Sequence, residues 1–411
     1  MKMGMKICVS GSRGIAALSA AVLLLTCNLA FAAPVKLGAI FPLSGNFATF
    51  GTQCFKGVEL AVEQANAQGG INGDPIELVK ADAADTSQAV SETRRLISRE
   101  GVKAIFGTYA SGLSYAATPV AELAGVPYFE VTATADNLTQ RKFQYLFRAS
   151  APASAFGISS MEALEKIVMP HYKLTPENAR IAIVNEDSLY GASVAKKQLE
   201  MAKKAGLNVV ETIPYSAKTV DLSSAVLRLK QSKVNVVMHT GYQNDSILLH
   251  RQMAEAGFKP TALVGGGGGY SLYETRRAIG DKLDGTVTTD FALVDINPEG
   301  AKGLKEFTES YKAKYKQEPT AYSVISYAGA KSFIDAMKKA KSFDKDDIRS
   351  AVMAMDEPMG SEATGYGAKY DQNGQNTRYR MIIMQWQKGE LKAIYPESLA
   401  VSQPQFTDDK S

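Results

Sequence analysis

Ser111 stands where a short apolar run gives way to an Ala-rich segment, in FGTYASGLSYAATPVAELAGVPYFE (Phe106 to Glu130). A serine at a strand-to-helix junction admits three chemistries. It can be a nucleophile, it can hold an anion beside the unpaired first N–H groups of a helix, or it can cap that helix. The surrounding residues weigh against a nucleophile, because YASGL puts Tyr109 where a G-x-S-x-G elbow needs its first glycine. His239 ends the apolar run VNVVMHT and is the histidine best placed to act as a base, yet no third partner is fixed for it.

Other reactive residue types are sparse. His171, His239 and His250 are the only histidines and have no metal-ligand spacing. LVGGGGGY (Leu263 to Tyr270) lacks the Lys-Ser/Thr of a phosphate-binding loop, so its glycines suit a sharp turn or a close backbone approach to a ligand. They can line a cleft or lie behind it. Acids stand at several strand ends. Glu130 shares strand parity with Thr132 and Thr134 in YFEVTAT, and such an acid is either a ligand contact or half of a hinge salt bridge. Asp245 follows Tyr242 and is either a second ligand-contacting acid or a helix cap, and Glu186 and Asp187 in VNEDSLYG stand at another strand end.

The elements that must position these residues alternate. VKLGAIF, IELVKA, KAIFG and VPYFEVT read as strands separated by helical patterns over 52–68, 87–99 and 112–124. The rhythm restarts with RIAIVN, LNVVETIPY, VNVVMHT and TALVGG, separated by helices over 191–205, 222–232 and 245–256. Unbroken Val/Ile strands alternating with helices of ten or more residues imply parallel sheets covered on both faces. Two such runs make an α/β chain of two doubly wound lobes. GTVTTDF, helices near 299–316, 321–340 and 344–354, and a hairpin turning at Lys388-Gly389 return to complete them.

The first 32 residues read as a cleavable export signal. Lys2, Lys6 and Arg13 precede the apolar IAALSAAVLLL, and Ala30-Phe31-Ala32 fits the cleavage site. Their loss leaves 43 basic residues against 42 acidic, which gives no electrostatic case for nucleic acid. Cys8 and Cys27 leave with the signal, so Cys54 stands alone without an intramolecular disulfide and reads as a small buried hydrophobe. No later apolar run reaches membrane length.

The stretch VKLGAIFPLSGNFATFGTQCFKGVELAVEQANAQGGINGDPIEL resembles the opening of the leucine/isoleucine/valine-type periplasmic binding proteins. The likeness continues in order through FGTYASGLSYAATPVAELAGVPYF, ATADNLT, LYGAS, TVDLSSAVLRLKQSKVNVVMHTGY and LVGGGGGYS. It implies a clamshell of two lobes joined by three crossings: 33–148 with about 286–355, and 149–285 with about 356–400. It also implies a periplasmic, monomeric, non-enzymatic protein without cofactor or metal, which binds a small carboxylate-bearing molecule and delivers it to an ABC membrane permease.

The resemblance assigns the carboxylate to Ser111 and Thr134, with Ala133 beside them. It assigns the ligand's remainder to Phe50, Tyr190 and Tyr242 and adds Gly267, while Glu130 is a candidate from its strand parity. The family's ammonium-pairing glutamate falls near Gly267, allowing a one-residue shift, and is missing. That substitution puts leucine in doubt and leaves an amide, urea or aromatic-acid binder of the same fold as the alternative, with a secreted serine hydrolase behind it.

Overall fold

The computed structural model describes residues 33–406 together with residues 1 and 4. The expected signal segment, 1–32, otherwise lies outside the described residues.

Five parallel strands form the first sheet, in the order β2-β1-β3-β4-β5. They are β1 (Val35–Phe41), β2 (Ile76–Asp82), β3 (Ala104–Gly107), β4 (Tyr128–Glu130) and β5 (Leu146–Arg148). Helices α1 (Ala48–Ala67), α2 (Thr86–Arg95) and α3 (Ser111–Ala124) connect the first four. The edge strand β5, three residues long, is too short for periodicity to reveal.

The second lobe carries α4 (Ala153–Ala163), a single turn α5 (Met169–His171), β6 (Ile181–Glu186), α6 (Leu189–Lys204), β7 (Val209–Tyr215) and α7 (Ser223–Gln231). It continues with β8 (Val236–Thr240), α8 (Gln243–Glu255), β9 (Ala262–Gly266), α9 (Tyr273–Ile279) and β10 (Val287–Asp290). Alternation along these strands decides which face each side chain covers. Ile181, Ile183, Val236 and Met238 join one apolar cluster with Met161 and Leu164, while Ala182, Val184 and Val237 join another with Val226 and Leu249. Both faces are therefore covered, as the unbroken apolar runs required.

The chain then returns. Helices α10 (Leu304–Tyr315), α11 (Ala321–Lys339) and α12 (Lys345–Met353) belong with the first lobe. Helix α11 lies against α1 so closely that a Cβ on Gly57 would stand 2.2 Å from the Ser323 carbonyl oxygen. Finally β11 (Ile382–Gln387) and β12 (Glu390–Tyr395) form the expected hairpin. Lys388 and Gly389 take φ of 52° and 85°, the double positive φ of a tight hairpin turn. Both strands enter the second sheet, ordered β12-β11-β10-β9-β8-β6-β7.

Two expected boundaries shift. Strand β10 pairs with β9 and β11 in the second sheet, so the crossing back to the first lobe follows Asp290 rather than residue 286. Residues 357–377, assigned by expectation to the second lobe, lie instead along the first. The N–H of Arg148 donates to Gly374 O and the N–H of Asn376 donates to Arg148 O, which satisfies the otherwise open edge of β5. Three crossings result, after β5, after β10 and before β11. Among the described residues, no helix is long and apolar enough to cross a membrane.

Candidate functional site

In open parallel sheets the loops beyond the carboxyl ends of strands face a common crevice. Here six strands from the two lobes aim such loops at one place. Tyr109 and Ser111 follow β3, Thr132 and Thr134 follow β4, and Tyr190 and Tyr242 follow β6 and β8. Gly268 follows β9, and Asp290 ends β10. With Phe156, Phe291 and Tyr322 they line one common space.

Ser111 is the first residue of α3 and 2% exposed. The capping position belongs to Ala110, which has no side chain to cap with, so the plain capping role expected as one alternative is absent. The Oγ of Ser111 accepts a hydrogen bond from the N–H of Ala135 at 3.0 Å. Intrahelical bonding begins with the N–H groups of Leu113 and Ser114, both donating to Ala110 O. The N–H groups of Ser111 and Gly112 precede the first intrahelical donor, as at any helix start, and carry the positive end of the helix dipole. The arrangement suits an anion.

His239 is buried between two tyrosines. Its Nε2 lies 2.8 Å from the Tyr215 hydroxyl and its Nδ1 lies 2.6 Å from that of Tyr270. Burial pushes its pKa down to about 3, so the ring is neutral at ordinary pH. The Tyr215 hydroxyl donates to Asp245 Oδ2 at 2.6 Å. Asp245 thus stands in the first turn of α8, bound to the Tyr215 hydroxyl. It anchors the start of α8 from beneath Tyr242.

Glu130 is fully buried, yet it is neither of the two things expected of it. Its Oε2 accepts from the Thr108 N–H at 2.8 Å and the Ser114 hydroxyl at 2.6 Å. Its Oε1 accepts from the N–H groups of Thr132 at 3.0 Å and Ala133 at 2.8 Å. Both oxygens are spent holding the loops that carry Ser111 and Thr134. Burial raises its pKa to about 7 against these hydrogen bonds. Across β5, Arg148 donates to Gln375 Oε1 at 2.6 Å and Ala135 O at 2.7 Å, not to Glu130. Glu186 is similarly occupied, accepting from the N–H groups of Ser188 and Gly191.

Three further expectations move by a residue or a layer. Ala133 lies behind the cleft wall, packed with Ala135 and Leu138, because its N–H is directed to Glu130. Phe50 is also one layer back, stacked on Tyr109 at 4.6 Å between centroids and 4° between planes. Gly267 gives way to Gly268 as the lining residue. Gly267 makes the turn at φ +58°, where a Cβ would stand 2.2 Å from the Tyr190 hydroxyl oxygen.

Six aromatic rings close on themselves around the space. Centroids follow one another at 5.7 Å from Phe156 to Phe291, 5.6 Å on to Tyr322, 5.5 Å to Tyr109, 6.1 Å to Tyr242, 5.8 Å to Tyr190 and 5.8 Å back to Phe156. Tyr109 and Tyr322 come from the first lobe, while Phe156, Tyr190 and Tyr242 come from the second. Phe291 starts the second crossing.

Asp290 was not anticipated. It is fully buried, with Oδ1 accepting from the Phe291 N–H at 2.7 Å and Oδ2 accepting from the hydroxyls of Ser271 and, at 3.5 Å, Tyr322. The strand-end rule that picked out Ser111 also applies to it. Its strand, however, was read only as a strand. Cys54 is buried, its thiol pushed up to about 12, in keeping with an inert apolar role. Among the described residues, no group of three or more His, Cys, Asp or Glu could hold a metal ion.

Residues 34–390 match the sequence family described as periplasmic binding protein. The Leu/Ile/Val-binding protein homolog 8 of Brucella abortus is 47% identical over 376 residues, covering 91% of this chain and 93% of that protein. The isoleucine complex of the branched-chain amino acid transporter substrate-binding protein LivJ from Streptococcus pneumoniae superposes with a TM-score of 0.75. It has 26% identity and covers 90% of this chain and all of that one. A solute-binding protein from R. palustris in complex with benzoate superposes with a TM-score of 0.75 at 21% identity, covering 91% of this chain and 99% of that one.

Proposed function

Because the chain belongs to the periplasmic binding protein family, of the leucine/isoleucine/valine type, we propose that it works as an exported monomer. In this reading it captures a small carboxylate-bearing molecule between its lobes and delivers it to an ABC-type membrane permease. The observation that carries the reading is the meeting of Ser111, Thr134 and the first turn of α3 with rings from the opposite lobe. A carboxylate docked at Ser111 would take the serine hydroxyl hydrogen and the helix's leading N–H groups, each a charge-assisted bond. Tyr190 and Tyr242 would cover the remainder from the second lobe and remove it from water. Permease recognition of the closed form follows from the same two-lobed closure.

A second reading, an aromatic-acid binder, is favoured by the closed set of rings and by the likeness to the benzoate-binding protein. Turnover by Ser111 is disfavoured by the neutral state of His239, whose two ring nitrogens both face tyrosine hydroxyls.

Thermal shift tests the reading with leucine, isoleucine, valine, benzoate and their amides as probes. A carboxylate at 100 times its dissociation constant is expected to stabilise the protein by about 2.7 kcal/mol. A panel in which the amides stabilise and the carboxylates do not would reject it.

A further inference from the structure

Two turns of the second lobe reach the space between the lobes, one carrying Tyr242 after β8 and one carrying Gly268 after β9. They pack backbone to backbone: a Cβ on Gly269 would stand 2.0 Å from Ser246 Oγ and 2.8 Å from Tyr242 O. Behind them runs a line of buried polar groups. His239 Nδ1 meets the Tyr270 hydroxyl at 2.6 Å, and its Nε2 meets the Tyr215 hydroxyl at 2.8 Å. The Tyr215 hydroxyl donates onward to Asp245 Oδ2 at 2.6 Å. At one end of the line, Tyr270 closes the glycine turn by donating its N–H to Gly267 O. At the other, Asp245 stands in the first turn of α8, which Tyr242 precedes.

The sheet is cut away to admit this line. Gly265 pairs with His239 across β8 and β9, and a Cβ there would meet Tyr270 Cγ at 2.5 Å. A Cβ on Gly241 would stand 2.5 Å from the Tyr215 hydroxyl oxygen. These two glycines make room for tyrosines behind the cleft. The donors along the line also share one direction. An ionised Asp245 only accepts, so it takes the Tyr215 hydroxyl hydrogen, and the Tyr215 oxygen accepts from His239. The proton of the neutral ring is then on Nε2, and Nδ1 accepts from the Tyr270 hydroxyl.

We infer that His239 is a positioning residue for ligand binding: with its proton on Nε2 it joins the two turns into one wall of the cleft, so that Tyr242 and Gly268 are set together. This rests on the reading above that a ligand is held between the lobes, and His239 itself touches no ligand.

Nitrogen NMR on histidine-labelled protein tests the inference without a ligand or a variant. At pH 8, above the raised pKa of about 7 of Asp245, the His239 ring is expected in the Nε2–H form alone. His239→Phe is expected to shift the backbone amide signals of both Tyr242 and Gly268. His239→Gln, whose amide keeps one donor and one acceptor, is expected to restore both. Affinity for leucine, isoleucine, valine or benzoate, measured with whichever binds, should fall about tenfold in His239→Phe and recover in His239→Gln. A ring protonated on Nδ1, or a shift confined to one of the two amides, would overturn the inference and leave the carboxylate reading standing. Equal affinity in the wild type and a folded His239→Phe protein would do the same. Should none of the four probes bind the wild type, the carboxylate reading fails, and the ring form and the paired amide shifts still decide the role of His239.

Discussion

Ser111 and Ala135 are joined by a hydrogen bond of 3.0 Å, from the Ala135 N–H to the serine Oγ. The contact ties the start of α3 to the loop bearing Thr134. With that lone pair occupied, the hydroxyl hydrogen is left to donate elsewhere. Ser111→Ala is expected to weaken binding of a carboxylate ligand about tenfold or more, roughly 1.4 kcal/mol. It also strands the buried Ala135 amide, so the unliganded protein should lose about 1–3 kcal/mol of stability. Titration calorimetry beside urea unfolding separates the two effects, and an unchanged affinity would take Ser111 out of the site.

Glu130 acts on the same loops from behind. Glu130→Gln turns one oxygen into an NH₂ that cannot accept from the N–H groups of Thr108, Thr132 or Ala133. A loss of about 2–3 kcal/mol is expected, read as a lower urea midpoint at unchanged slope. A variant as stable as the parent would show that the carboxylate does not hold these loops.

The pattern of what could be read from the chain follows from sequence distance. Strands β1, β6 and β8, and the helices between them, announce themselves because burial on both faces demands unbroken apolar runs. Ser111 was legible from its place past a strand end, while Thr134, Tyr190 and Tyr242 came from the family resemblance, and one space brings the four together. Tyr322 was not, since it arrives on α11 from more than 200 residues beyond Ser111 and looks like any core tyrosine of a helix. Asp290 was missed for another reason: VTTD is short and polar, and gave no cause to examine its last residue. Glu130, Phe50 and Ala133 lie one layer behind the residues that line the space, a distinction that neither parity nor resemblance carries.

Asp290 also gives the protein a pH signature. Burial raises its pKa from 3.8 to about 7, so the folded state holds this proton more tightly than the unfolded chain. Its stabilising contribution is then full below about pH 4 and is lost as pH rises through about 7, a span worth up to roughly 4 kcal/mol. Glu130 and Asp245, raised to about 7 by the same cause, add to the slope in the same direction. The tyrosines facing Asp290, namely Tyr190, Tyr322 and Tyr366, are pushed well above 10 and stay neutral. Unfolding free energies of wild type and Asp290→Asn, measured from pH 4 to 8, should diverge, with the variant showing the shallower fall. Parallel curves would mean that Asp290 does not titrate in that window.

The glycines allow a steric test. Gly268→Ala puts a methyl between the hydroxyls of Tyr109 and Tyr322 and should cut affinity tenfold or more while the fold survives. Gly267→Ala should be worse for stability, because it adds a strained positive φ to a collision with Tyr190. Equal binding by wild type and Gly268→Ala would mean that the ligand does not reach this floor.

The most direct measurement is a crystal structure of the protein grown with whichever amino acid raises its melting temperature most. The expected density has the ligand carboxylate within hydrogen-bond distance of Ser111 Oγ, enclosed by the six rings. Density for that molecule outside the space between Ser111 and Asp290, with the space itself filled by water, would contradict the account.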